Sequence, residues 1–256
     1  MMIERIDSLS SHNLEIVHQV QSIISGQFPT ARVKDIQEIP QRLENQTKAG
    51  YHTSLYAAIT GYDQVIGFAI VLSFRIPDFH WLEYISAAPG MQGHGIGSLI
   101  YRHIQNELRL QGASELFFEC CIDDPGAIFD PATLADNIAR MRFYERHGAR
   151  PLVNNDYPCP ICPDDQDLYY LMFDPLGLPS DGPNRDLTRQ VVDRIMKLRY
   201  SDLYTEAEIE ELCLSFADDP STVRSPFYQP NQLSQSAPLN TLAHFSQNHS
   251  NLMQRN

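Results

Sequence analysis

The chain has 256 residues, 43% of them hydrophobic, and a net charge of −13 from 19 basic and 32 acidic side chains. That length and apolar fraction support one substantial domain with additional elements. The acidic balance argues against a nucleic-acid partner, which needs clustered Lys and Arg, and no apolar run approaches the roughly 20 residues of a membrane span.

The opening MMIERIDSLS lacks a basic stretch followed by an apolar one, so no secretory leader is expected. Residues 2–7 read as a short strand. Residues 11–26 read as a helix, with Leu14, Val17, Val20, Ile23 and Ile24 at helical spacing and Gly26 as a stop. Residues 31–45 predict a weaker helix interrupted by Pro40. Three strands follow, at 54–60, 65–74 and 81–87, and their short connections predict antiparallel pairing. A glycine-dense elbow, "APGMQGHGIGSLIYRHI" from Ala88, then enters a helix with Leu99, Ile100, Ile104 and Leu108 on one face. Residues 116–122 predict a strand and 132–147 a helix closed by Gly148. Residues 152–154 and 168–173 predict two final strands around a Pro- and Asp-rich loop.

Three prolines and two glycines in residues 175–183 mark the end of this unit. Two helical stripes follow: Leu187, Val191, Ile195 and Leu198, then Ile209, Leu212, Cys213 and Phe216 behind a capping box of Thr205 and Glu208. Their apolar faces must bury against the core or a partner, which leaves room for a homodimer or a protein partner docked there. The segment 221–256, rich in Asn, Gln, Ser and Pro, is expected to be disordered. Five cysteines, an odd number with Cys120 and Cys121 adjacent, make no disulfide framework and fit a cytoplasmic protein. Cys159 and Cys162 form one CxxC; a structural zinc needs four ligands, so no metal is expected.

The elbow limits the chemistry. A helix N-terminus offers unpaired N–H groups and partial positive charge, which suits phosphate. The spacing G-x-G-x-G is wrong for a dinucleotide fold, and no Lys follows as an NTP-binding loop requires. Gln92, Gly95 and Gly97 instead fit Q-x-x-G-x-G after a strand. Here "AAPGMQGHGIGSLIYRHI" resembles the acetyl-CoA-binding signature of the GNAT N-acetyltransferase superfamily. "NIARMRFYERHGARP", from Asn137, resembles its second signature. The resemblance covers about residues 1–175. Residues 186–219 resemble, weakly, bacterial chains in which such a domain precedes a deacetylase-like domain.

The resemblance implies an α+β (α/β) fold: a mixed sheet of about six to seven strands, splayed in a V and flanked by helices. Residues 1–177 would form that domain and residues 184–218 a helical extension. It implies acetyl-CoA as co-substrate and transfer to an amine: a small molecule, a polyamine, or a protein Lys or N-terminus. An acidic surface is compatible with a cationic acceptor. The alternative is a non-catalytic acyl-CoA-binding module that recruits a partner through its C-terminal helices. Backbone N–H groups of Gln92, Gly93, His94, Gly95, Ile96, Gly97 and Ser98 would surround the pyrophosphate. Asn137 would contact the pantetheine arm, and N–H groups at Ala87 and Ala88 the thioester carbonyl. Glu83, mid-strand in "HWLEYISAAP", would be the general base; a salt-bridged or solvent-facing Glu83 is the plain alternative, and Glu119 on the next strand is the other acid. Tyr144 would be the general acid, since tyrosine's pKa of about 10 suits a departing thiolate.

Overall fold

The computed structural model describes residues 1–29, 31–45, 50–158 and 168–228. Seven strands form one sheet in the order β1-β2-β3-β4-β5-β7-β6. They are β1 (Met2–Ile6), β2 (Tyr51–Ile59), β3 (Val65–Arg75), β4 (Asp78–Ala87), β5 (Leu116–Cys121), β6 (Arg150–Pro151) and β7 (Tyr169–Asp174). Every pairing is antiparallel except β4 with β5. The mixed, helix-flanked sheet matches the expected fold class.

Alternation sorts the strands' side chains onto two faces. On one face, α4 (Ile96–Leu110) and α5 (Pro131–Arg146) pack against residues such as Tyr56, Val71, Leu82 and Phe118. On the other lie α1 (Leu14–Gln27), α2 (Val33–Gln37), α3 (Ile39–Glu44), α6 (Arg185–Arg199) and α7 (Glu206–Ser215), over residues such as Leu55, Trp81 and Phe117. The helix expected over 31–45 is two short helices, because Pro40 suits only a first turn and so begins α3.

Gly67 sets how closely α4 approaches β3. A Cβ there would lie 2.6 Å from Ile96 Cγ2 and 3.1 Å from the Ser86 carbonyl oxygen. Gly67→Val is therefore expected to destabilise the fold by about 1–3 kcal/mol. A lower urea midpoint checks this, and an unchanged midpoint contradicts it.

The extension packs onto the core. Val191, Val192, Ile195 and Met196 of α6 and Ile209 and Leu212 of α7 are buried in the same cluster as Trp81 and Tyr84. These faces are buried inside the chain, while Leu198 of α6 and Leu214 of α7 stay exposed. The Thr205–Glu208 capping box is present at the start of α7.

The segment from Ser221 is ordered through Tyr228, contrary to the expectation of disorder. Val153 N–H donates to Thr222 O and Arg224 N–H to Pro151 O, both at 2.9 Å, beside an isolated bridge between Leu152 and Val223. Arg224 then pairs with the buried Asp123 at 2.7 Å and Glu145 at 3.2 Å. Edge pairing and a buried ion-pair cluster order what composition alone does not. Cys159, Cys162 and residues 229–256 lie outside the described residues.

Candidate active site

β4 and β5 are hydrogen-bonded neighbours for only two residue pairs, His80↔Leu116 and Trp81↔Phe117. Beyond them the strands diverge, so Leu82 to Ala87 and Phe118 to Cys121 line the two arms of a V-shaped opening. α4 starts at the open end of the β4 arm. Gly93 and Gly95 there have φ of +79° and +77°, a region glycine enters without steric cost. Gly95 is the N-cap of α4 and brings no side chain to cover the helix's first N–H groups.

Gln92, Gly93, His94 and Gly95 are exposed, and His94 Nδ1 lies 3.0 Å from the Gln92 carbonyl oxygen. Ile96 is buried against the sheet. A Cβ at Gly97 would lie 3.7 Å from Phe143, so the elbow packs closely on α5. Ser98 Oγ is 3.1 Å from His147 Nε2 at the end of α5. The Ala88 N–H, expected at the thioester, instead donates to Ile66 O at 2.9 Å. Because ladder bonding alternates along an antiparallel strand, the neighbouring Ala87 N–H turns away from β3, toward the opening.

Asn137 is fully buried, and its amide donates to the Ile122 carbonyl at 2.9 Å. It ties α5 to the chain leaving β5 and so fixes where that arm ends. Tyr144, further along α5, is partly exposed beside Phe118, with ring centroids 4.4 Å apart. Burial, with Cys120 beside it, raises its hydroxyl above the ordinary tyrosine range, so it stays protonated at neutral pH.

Each arm carries one carboxylate on the α6 side. Glu83 sits at a β-bulge, where the register moves from Ile70↔Tyr84 to Val71↔Leu82. The extra residue turns its side chain into the protein. Arg42 of α3 donates to it at 3.1 and 2.5 Å, and Arg199 at the end of α6 pairs with the same carboxylate. Burial alone would raise the Glu83 pKa, but the two guanidiniums outweigh it and hold it below the ordinary carboxylate range. Glu119 on β5 differs. Tyr157 OH donates to one of its oxygens at 2.8 Å and Tyr200 OH to the other at 2.6 Å. Its withdrawal from water outweighs these bonds and pushes the carboxyl above the ordinary range. Sequence reasoning missed Arg42, Arg199, Tyr157 and Tyr200, whose partners lie 38 to 116 residues away.

A family model described as the acetyltransferase (GNAT) family matches residues 17–149, just over half of the chain. The chain belongs to that family. Solved GNAT structures share the fold. A GNAT-family protein from Bacteroides thetaiotaomicron superposes with a TM-score of 0.53 at 17% identity, covering 77% of this chain and 98% of its own. An aminoglycoside 6'-N-acetyltransferase in complex with coenzyme A gives 0.51 at 14% identity, covering 71% and 100%. No curated protein sequence matches the chain. As a GNAT acetyltransferase the protein transfers an acetyl group from acetyl-CoA to nitrogen. The match ends before α6, α7 and the 221–228 segment. Among the described residues, no cluster of His, Cys, Asp and Glu could hold a metal ion, and no helix is long and apolar enough to cross a membrane.

Proposed function

We propose that this GNAT acetyltransferase acetylates the amine of a small molecule, with Glu119 as general base and Tyr144 as general acid. The observation that carries the reading is the unequal pair of carboxylates, one on each arm. Glu83 is locked between Arg42 and Arg199 and held ionised at low basicity. Glu119 has no such clamp, keeps partial exposure and is the more basic. Two acids pushed apart by their surroundings take different roles. This moves the base from Glu83 to Glu119.

Bound acetyl-CoA supplies the thioester whose acyl carbon the amine attacks. The elbow fits its phosphates: residues 92–98 offer backbone N–H groups, glycines at positive φ and a helix N-terminus without a capping side chain. Ala87 N–H is the donor suited to the thioester carbonyl. Simple alkyl amines hold their proton to about pH 10, so the acceptor attacks in its neutral form; as the C–N bond forms and the C–S bond breaks, the Glu119 carboxylate would take the proton the nitrogen releases. The Tyr144 hydroxyl, protonated on the opposite face of β5, would supply one to the departing sulfur. The end of α6 spans both arms on the acceptor face, which favours a small acceptor over a polypeptide.

Thiol release from acetyl-CoA, measured across small primary amines and Lys-containing peptides, tests this. Turnover of a small amine is expected, and turnover of peptides alone would overturn the small-acceptor reading. Tyr144→Phe is expected to lower kcat by about 10²-fold with the KM for acetyl-CoA kept. An unchanged kcat removes the acid role.

A further inference from the structure

We infer that the end of α6 completes the active site, with Tyr200 as a positioning residue that fixes the Glu119 carboxylate. The inference rests on the reading of Glu119 as base. α6 lies outside the residues the family model matches, yet it is firmly placed. The Asn184 side chain accepts from the N–H groups of Asp186 and Leu187 at its start, and Val191, Ile195 and Met196 are buried along its face. Its last residue, Arg199, pairs with Glu83 on the β4 arm. The next, Tyr200, is 3% exposed and donates to Glu119 on the β5 arm at 2.6 Å. Two consecutive residues thus reach both arms of the opening.

The geometry at Glu119 is that of a held carboxylate. Tyr200 and Tyr157 approach different oxygens, at 2.6 and 2.8 Å, from different segments. One donor would let the group turn; two on opposite oxygens fix its plane. Each oxygen keeps a second lone pair for an incoming N–H. The groups facing Glu119 are these two hydroxyls and the Arg199 guanidinium, behind which stand Glu83 and Arg42. Its ladder partner on β7, Leu171, is apolar. The extension is therefore part of the catalytic machinery.

The test is the full-length protein with Tyr200→Phe, which removes one hydroxyl and keeps the ring. A carboxylate that loses a donor holds its proton to higher pH. The acidic limb of kcat against pH should move up. On that limb the rate should fall by up to about tenfold, converging with wild type at high pH. The KM for acetyl-CoA should stay. As a second variant, 3-fluorotyrosine at position 200 is a stronger donor and should move the limb down. An unmoved limb in both variants overturns the inference, as does a uniform loss at every pH, which a structural role alone would give. If Glu119→Gln is inactive while the Tyr200 variants keep the wild-type limb, only this inference fails. If Glu119→Gln stays active, the reading of the base fails first.

Discussion

Glu119→Gln is expected to lower kcat by about 10²- to 10⁴-fold, the range of a positioned general base, without weakening the fold. The stability half of this result follows from the direction of the shift. A carboxyl whose pKa is raised on folding contributes stability at low pH and loses it as pH rises through the folded value. At neutral pH the ionised Glu119 is therefore a cost, and the uncharged isostere removes it. The variant should melt at or above the wild-type temperature while its turnover collapses. Retained turnover contradicts the assignment. Acetyl-CoA affinity, read by calorimetry, should not change, because the elbow lies at the end of β4 and Glu119 on β5.

Glu83→Gln should do the reverse. Its carboxylate is 2% exposed and faces Arg42 and Arg199, at 11% and 15%. Removing one member of a buried ion pair leaves the others uncompensated, which costs about 3–5 kcal/mol. That corresponds to a fall in Tm of roughly 10 °C or more for a protein of this size. Here the folded pKa is depressed, so the stability it contributes is present above the unfolded value and lost as pH falls through the folded one. The gap between wild type and variant should accordingly close in acid. Below its melting point the variant should keep kcat within about tenfold, since no proton passes through Glu83. An unchanged Tm with a lost kcat would reverse the roles of the two acids.

Much of the scaffold was legible because its signals are local. The apolar runs of β2 and β3, the glycine elbow before α4 and the Thr205 capping box each declare themselves within a dozen residues. The motif around the elbow also points to the right family. What was hidden depends on distance or on geometry that a string of letters does not encode. The bulge in β4 chooses the face of Glu83, which period-two alternation cannot do, and its clamp comes from residues 41 and 116 positions away. Glu119 was visible only as a second acid, because nothing nearby in sequence announces Tyr157 or Tyr200. The stripe of α6 was read through Leu198, which is 36% exposed, whereas the residue that reaches the site is Tyr200 just past the helix. Nothing local announces that Ile66 accepts the Ala88 N–H or that Ile122 accepts one N–H of the Asn137 amide. The constraint on Gly67 comes from Ile96 and Ile100 of α4, which lie about 30 residues further along the chain.

The most direct test of the account is kcat of the wild-type enzyme against pH, at saturating acetyl-CoA, with a weakly basic amine that carries no proton across the range. With the acceptor silent, the acidic limb reports the enzyme's own base. The account predicts one limb lying above the ordinary carboxylate range of about 4, abolished in Glu119→Gln and kept in Glu83→Gln. A limb below that range, or one that survives in Glu119→Gln, contradicts it.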